Sequence, residues 1–177
     1  MNKKVGIVRY PGSNCDIETL DFFGANNSFY IWHTVNDLNI LDTIDLLVLP
    51  GGFAFGDRIY DKATDNYSIS PGTMALNSPV TAIINEAVKK SIPIIGICNG
   101  FQILTQLGLL PGRLELNDCK QFMCKKVKCI VNNKNKETST ELCIANSYGK
   151  YVNPFFDNIK YRVFLEYDDP YIEGIAG

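Results

Sequence analysis

A single cysteine stands between two glycines where a buried-strand pattern gives way to a helix pattern. The run Gly96-Ile97-Cys98-Asn99-Gly100 follows apolar residues and precedes a helical stretch that continues to Leu107. This is the arrangement of a nucleophile elbow with cysteine in place of serine. Side chains at the glycine positions would collide with the turn, and the start of the helix favours the thiolate form of the sulfur. The same residues also fit a structural cysteine beside a strand-to-helix turn, and their spacing alone does not distinguish the two.

A second glycine turn ends the preceding predicted strand. Pro50-Gly51-Gly52-Phe53 follows the apolar residues 44–49. Because the carboxyl ends of parallel strands lie at one edge of a sheet, we expect this turn beside Cys98. Main-chain amides from the turn and from Asn99 then form the oxyanion hole that acyl transfer at Cys98 needs. Pro-Gly-Gly is also an ordinary way to end a strand.

Composition and charge argue against several other functions. The chain has 177 residues, of which 46% are hydrophobic and 20% charged, enough for one buried core. Seventeen basic and nineteen acidic residues give a net charge of -2 without a basic block, which disfavours binding to nucleic acid or to an anionic membrane. No apolar stretch reaches the roughly 20 residues of a membrane span, and no signal-peptide core is present. We therefore expect a cytoplasmic protein.

The six cysteines predict neither a disulfide framework nor a metal site. Thiols stay reduced in the cytosol. Cys119, Cys124 and Cys129 recur every five residues, unlike the short spacings of zinc ligands, and the single histidine, His33, is distant in sequence. We expect no bound metal, since most free cysteines pack as small apolar side chains.

The elements that must position these residues predict an α/β fold. Apolar segments without polar alternation indicate parallel strands covered on both faces. A helix is expected up to Phe23, with Ser13 and Asn14 as its capping candidates, and another over residues 78–90. These features predict a flavodoxin-like, doubly wound, mostly parallel sheet. The four predicted strands are residues 4–10, 29–33, 44–49 and 92–97.

The pattern changes after Gly112, where strands follow one another with few helical signals. This predicts an antiparallel C-terminal portion within a single domain over residues 1–177. The polar residues 132–140 are interpreted as a hairpin connection at the surface. Residues 53–79 are expected to form a functional loop near the site or a partner surface. The predicted strands are residues 121–131, 141–145 and 161–167.

Further motifs accompany the cysteine elbow and the glycine turn, and with them the sequence resembles the class I glutamine amidotransferases. Within that class it is similar to the glutaminase subunits of phosphoribosylformylglycinamidine synthase, an enzyme of purine biosynthesis. The resemblance implies the class I glutamine amidotransferase fold. The residues that carry it are Pro11-Gly12-Ser13-Asn14-Cys15-Asp16, Trp32-His33, Leu49-Pro50-Gly51-Gly52-Phe53, Gly56-Asp57, Gly96-Ile97-Cys98-Asn99-Gly100-Phe101-Gln102-Ile103-Leu104 and Gly108-Leu109-Leu110-Pro111-Gly112.

The resemblance implies a role for each candidate site residue. Cys98 is implied as the nucleophile that attacks the side-chain amide of L-glutamine, which gives a glutamyl thioester and ammonia. Gly52 and Asn99 are implied as oxyanion donors, and Gln102 as a residue that helps hold the glutamine. No cofactor is implied in this subunit.

The resemblance also implies partner subunits. A synthetase subunit would use ATP and magnesium to convert formylglycinamide ribonucleotide to formylglycinamidine ribonucleotide with the ammonia. A small accessory subunit is included among the implied partners.

Two departures from the family pattern leave alternatives open. The family takes its proton carrier from a late His-x-Glu motif that these 177 residues do not contain, and His33 is expected about 14 Å from Cys98. Asn146-Ser147-Tyr148 stands where related subunits have His-Gly-Glu. One explanation is a chain that lacks the family's C-terminal end. Another is a degenerate, non-catalytic subunit that docks on the synthetase, and a third is an unrelated cysteine hydrolase.

Overall fold

The computed structural model of the chain describes residues 3–54, 75, 77–133, 136–152 and 165–168. Contacts divide the chain into two compact units, Met1–Leu109 and Leu110–Gly177. The single domain expected over residues 1–177 stays a prediction. Most of the expected loop at residues 53–79 and residues 161–164 of the last predicted strand lie outside the described residues.

The first unit is built on a four-stranded sheet in the order β2-β1-β3-β4. Every neighbouring pair is parallel. This is the strand order of a flavodoxin-like sheet, so the predicted fold class is confirmed. The strands are β1 (Val5–Arg9), β2 (Ser28–Trp32), β3 (Leu46–Leu49) and β4 (Ile94–Gly96).

Helices alternate with these strands. The chain moves from β1 to β2 in one direction across the sheet and from β3 to β4 in the other. Right-handed crossovers therefore place the intervening helices α1 and α2 on opposite faces, which makes the sheet doubly wound. The helices are α1 (Asp16–Phe23), α2 (Thr81–Lys89) and α3 (Asn99–Gln106), and a 3-10 helix (Leu38–Thr43) precedes β3.

The core of the first unit lies on its central strands. Ile7 and Val8 of β1 and Leu47 and Val48 of β3 are fully buried, as is Ile83 of α2. Adjacent residues of one strand point to opposite faces, so their joint burial shows that both faces of the sheet are covered. Truncating one such isoleucine or leucine to alanine costs about 2–5 kcal/mol.

The start of α1 differs from the prediction. The N-cap is Cys15, and no side chain caps this helix. The hydroxyl of Ser13 accepts a hydrogen bond from Tyr10 N–H at 3.1 Å instead. The capping role expected for Ser13 and Asn14 is therefore wrong, because Ser13 closes the turn between β1 and α1.

The second unit is antiparallel, as predicted. Its core cluster contains Val127, Cys129 and Ile144. Asn133 pairs with Lys136, so the predicted hairpin connection is confirmed, but the strands extend through most of the polar run 132–140. The strands are β5 (Arg113–Glu115), β6 (Met123–Asn133), β7 (Lys136–Asn146), β8 (Lys150–Val152) and β9 (Leu165–Tyr167).

None of the helices among the described residues is both long enough and apolar enough to span a membrane.

Candidate active site

Cys98 stands on a strained turn directly between β4 and α3. Its φ of 52° and ψ of -109° lie outside the regions that non-glycine residues ordinarily adopt. Ile97 N–H donates to the Leu49 carbonyl at 3.0 Å, and Gly100 N–H donates to the Ile97 carbonyl at 2.8 Å. These bonds hold the turn on both sides of Cys98. Cys98 itself is exposed. An exposed cysteine on a strained turn between a strand and a helix has the backbone geometry expected of a nucleophile elbow, and its role as a nucleophile stays a prediction.

The two glycines that flank the elbow are required by their surroundings. A Cβ at Gly100 would lie 2.0 Å from the carbonyl oxygen of Leu49. A Cβ at Gly96 would lie 2.6 Å from Leu104 Cδ1 and 2.9 Å from the Gly100 carbonyl oxygen. Real Cβ atoms do not approach backbone atoms so closely, so α3 packs against β3 and β4 only because these positions lack side chains.

The Gly51-Gly52 turn lies beside Cys98, as the sheet order requires. A Cβ at Gly51 would be 3.4 Å from Cys98 Cβ. Gly52 has a φ of 140°, which L residues with side chains rarely adopt. The structure therefore brings Gly52 and Cys98, two of the predicted site residues, to neighbouring turns at one edge of the sheet.

Asn99 and Gln102 belong to the first turns of α3. Asn99 is the first residue of the helix, where main-chain N–H groups have no acceptor within the helix. Its side-chain Nδ2 donates to Gln102 Oε1 at 2.9 Å, and both residues are buried. The amide oxygen of Gln102 is thus used to order Asn99, and its role in holding glutamine stays a prediction.

His33 is at the far side of the sheet from Cys98. It follows β2, and β2 and β4 are the two end strands of the four-stranded order. Three strand spacings separate them, which is about 14 Å. The imidazole packs against Tyr10, with ring centroids 6.2 Å apart, and against Trp32, with centroids 5.0 Å apart. Direct proton transfer between His33 and Cys98 is excluded by this arrangement.

The sequence patterns did not single out Cys15 as a neighbour of the site. A Cβ at Gly51 would lie 3.6 Å from Cys15 Sγ, so Gly51 stands between the two cysteines 15 and 98. Partial burial, followed by the carboxylates of Glu18 and Asp16, raises the pKa of the Cys15 thiol. The position of Cys15 in the loop after β1 could have indicated this proximity, because the loops that follow parallel strands lie at one edge of the sheet.

In the second unit, the sequence patterns did not predict the hydrogen-bonding role of Asn117. Its Nδ2 donates to the carbonyl oxygen of Asn146 at 3.0 Å and to Asn146 Oδ1 at 3.1 Å. Its Oδ1 accepts from Gly149 N–H at 2.9 Å. Asn117 therefore holds the loop over residues 146–149, in which this chain departs from the family pattern.

No group of three or more His, Cys, Asp or Glu side chains in the described part of the chain is arranged to hold a metal ion. None of the six cysteines is joined to another by a disulfide bond. That this subunit needs no metal or cofactor stays a prediction.

The family model of the CobB/CobQ-like glutamine amidotransferase domain matches residues 2–148. The chain, with its parallel sheet and cysteine elbow, thus belongs to the class of glutamine amidotransferases. The chain is 38% identical over 159 residues to the phosphoribosylformylglycinamidine synthase subunit PurQ of Prochlorococcus marinus, covering 83% of this chain and 66% of that one. It is 34% identical over 167 residues to the same subunit of Methanothermobacter thermautotrophicus, covering 88% and 69% of the two chains.

Comparison with a solved structure also indicates similarity to this group of proteins. The chain is similar to a chain in the structure of PurLQS from Thermotoga maritima, with a TM-score of 0.79, 32% identity, and coverage of 98% of this chain and 78% of that one. The chain belongs to the PurQ family of class I glutamine amidotransferases, as the sequence motifs predicted. It spans about two thirds of the length of the curated relatives it matches.

Proposed function

We propose that the chain is the glutaminase subunit of a phosphoribosylformylglycinamidine synthase. In this role it hydrolyses L-glutamine and delivers ammonia to a synthetase partner, which converts formylglycinamide ribonucleotide to formylglycinamidine ribonucleotide. The observation that carries the proposal is the exposed Cys98 on its strained elbow beside the Gly51-Gly52 turn. Similarity to PurQ subunits over most of the chain supports the choice of substrate and pathway.

The proposed chemistry proceeds by covalent catalysis at Cys98. The Cys98 thiolate attacks the side-chain amide carbon of glutamine and forms a tetrahedral oxyanion. The carbon–nitrogen bond then breaks, the nitrogen takes up the proton that the Cys98 thiol gave up on ionising and leaves as ammonia, and a glutamyl thioester remains. Water attacks the thioester, which releases glutamate and restores the thiol.

Two main-chain amides are suited to stabilise the oxyanion. The N–H of Asn99 is at the start of α3, and that of Gly52 is in the neighbouring turn. Donors fixed in this way need no rearrangement when negative charge develops, and the loss of one typically lowers the rate by about 100- to 1000-fold. Gln102 orders the Asn99 side chain from within the same helix.

The proposal includes partners and a location. The synthetase partner would bring ATP and magnesium, with no cofactor in this subunit, and a small accessory subunit would join the complex. Similarity to a chain of the Thermotoga maritima PurLQS structure supports such an assembly. Six cysteines without a disulfide bond suit the reducing cytoplasm, which is the location we propose.

The test replaces Cys98 with alanine in the complex with the synthetase. We expect glutamine-dependent synthesis to fall at least about 1000-fold, because the nucleophile is lost. Ammonia-dependent synthesis by the same complex should be unchanged. Cys143→Ala, at an exposed cysteine in β7, is the matched control and should retain both activities. Equal loss of both activities in Cys98→Ala, or retention of both, would contradict the proposal.

The distance between His33 and Cys98 favours a second candidate function. With no imidazole beside Cys98 among the described residues, a non-catalytic subunit that docks on the synthetase is the alternative. The two candidates differ in one measurement on the unmodified complex. Glutamine hydrolysis supports the glutaminase, whereas complex formation without any glutamine hydrolysis supports the docking subunit.

A further inference from the structure

The loop between β1 and α1 joins the Gly51-Gly52 turn through two main-chain hydrogen bonds. Cys15 N–H donates to the Gly51 carbonyl oxygen at 3.2 Å, and Phe53 N–H donates to the Gly12 carbonyl oxygen at 3.0 Å. One bond involves the residue before Gly52 and the other the residue after it. The loop, residues 10–15, therefore holds the turn on both sides of Gly52.

The first of these bonds fixes the peptide group that the proposed function assigns to the oxyanion. The carbonyl of Gly51 and the N–H of Gly52 belong to one peptide group, and in a trans peptide these two groups point in opposite directions. None of the described peptide bonds is cis. Because Cys15 N–H holds the Gly51 carbonyl, the Gly52 N–H points away from the N–H of Cys15.

Close packing prevents the turn from rotating independently of the loop. A Cβ at Gly52 would lie 2.4 Å from the main-chain nitrogen of Asn14 and 2.9 Å from the Gly12 carbonyl oxygen. A Cβ at Gly12, which has a φ of 87°, would lie 3.2 Å from Ala54 Cα. The two backbones are thus in direct contact, and a movement of one requires a movement of the other.

Ser13 is the side chain that closes the loop. Its Oγ accepts from Tyr10 N–H at 3.1 Å, while its own N–H donates to the Tyr10 carbonyl oxygen at 3.1 Å. These two bonds tie the loop to the end of β1. Removing the hydroxyl leaves one of them.

We propose that residues 10–15 are a positioning element for the oxyanion hole. The main-chain N–H of Cys15 sets the direction of the Gly52 N–H, and the Ser13 hydroxyl holds the loop in the shape that permits this. The inference rests on the proposed function and adds Ser13 and Cys15 to it as positioning residues.

The test compares two reagents on Cys98 of the full chain, with the modified residue identified by peptide mapping. A chloroketone analogue of glutamine places a carbonyl oxygen at the oxyanion position, so its rate depends on both the thiolate and the oxyanion donors. Methyl methanethiosulfonate has no carbonyl and reports the thiolate alone. The ratio of the two rates therefore measures the oxyanion donors.

Two pairs of variants address Ser13 and Cys15. Ser13→Ala should lower the ratio about 10-fold, and Ser13→Thr, which keeps a hydroxyl, should restore it. Cys15→Pro is compared with Cys15→Ala, because both lack the thiol and only proline lacks the N–H. We expect the ratio for proline to be about 100-fold below that for alanine, the lower range for loss of one oxyanion donor.

Ser28→Ala is the matched control for Ser13→Ala. The Ser28 hydroxyl donates to the carbonyl oxygens of Leu20 and Gly24 at the other end of α1, so this variant loses hydrogen bonds away from the turn. Its ratio should equal that of the unmodified chain, and thermal unfolding confirms that each variant is folded.

The outcomes separate this inference from the proposed function. A fall in the ratio for Ser13→Ala and for Cys15→Pro, with Ser28→Ala unchanged, supports the positioning role. An unchanged ratio in Ser13→Ala, or an equal fall in Ser28→Ala, overturns it while the glutaminase proposal stands. If Cys98 of the unmodified chain reacts with the chloroketone no faster than an exposed cysteine such as Cys143, the glutaminase proposal fails as well.

Discussion

Cys98 occupies an unfavourable backbone conformation. A non-glycine residue with a φ of 52° and a ψ of -109° costs about 1–3 kcal/mol, which the surrounding structure must offset. The hydrogen bonds of Ile97 and Gly100 and the tight contact between α3 and β3 provide that stabilisation. The position of the sulfur therefore depends on residues that have no part in the proposed chemistry.

Gly100 gives a direct measure of this dependence. Gly100→Ala should lower the free energy of unfolding by about 3 kcal/mol, because the new Cβ would meet the Leu49 carbonyl oxygen at 2.0 Å. The glutamine hydrolysis that we propose should fall as well, since the elbow must shift. Urea denaturation and a glutaminase assay check the two effects.

Gly108→Ala is the control for this prediction. Gly108 has a φ of 70°, but a Cβ there would meet nothing within 4 Å among the described residues. Only the backbone strain is added, at a cost of about 1 kcal/mol. Equal destabilisation in the two variants would show that the contact with Leu49 is unimportant.

At the scale of elements, Asn117 connects the segment after β5 to the loop between β7 and β8. It is 4% exposed, and its side chain both donates to Asn146 and accepts from Gly149. Asn117→Ala leaves those partners without their bonds, so we expect a loss of about 2 kcal/mol in unfolding free energy. Denaturation monitored by circular dichroism measures it.

A second substitution tests the cause of this loss. Asn117→Asp keeps the acceptor for Gly149 N–H but removes the donor to Asn146. It should destabilise the protein as well, since a carboxylate oxygen then faces the carbonyl of Asn146. If both variants are as stable as the unmodified protein, the hydrogen bonds of Asn117 to Asn146 and Gly149 do not stabilise the fold.

Strands β1 to β4 and the glycine elbow were predictable from the sequence because their signals are local. A buried strand is an apolar run, and a turn against a helix needs glycine at fixed positions such as Gly96 and Gly100. Ser13 was assigned wrongly because its hydroxyl bonds to Tyr10 instead of the helix. Asn117 was not found because its partners are about 30 residues further along the chain, beyond the reach of any local pattern.

At the scale of the whole molecule, Tyr10 links stability to alkaline pH. It is 2% exposed, and burial raises the pKa of its phenol well above the ordinary value of 10.0. Below pH 10 the phenol is protonated in both states, so its contribution is fully present. Above pH 10 the unfolded chain loses the proton first, and the free energy of unfolding falls by about 1.4 kcal/mol per pH unit.

Tyr10→Phe should remove this part of the pH dependence. The free energy of unfolding of the variant and of the unmodified protein is measured by urea denaturation between about pH 9 and pH 11.5. Their difference should change steadily above pH 10, with the variant the less sensitive of the two. Parallel curves over the whole interval would mean that Tyr10 ionises equally in the folded and unfolded states.

Strand β4 is an end strand of the described sheet and pairs with β3 along one side. In the part of the chain that the structure describes, no strand pairs with its other side. Ile95 of β4 is 43% exposed, and Ile97, just after the strand, is 49% exposed. Open main-chain groups beside exposed isoleucines allow strands of separate molecules to join. The described edge of β4, next to Cys98, is therefore a place where we expect separate molecules to associate when the purified chain is stored at high concentration.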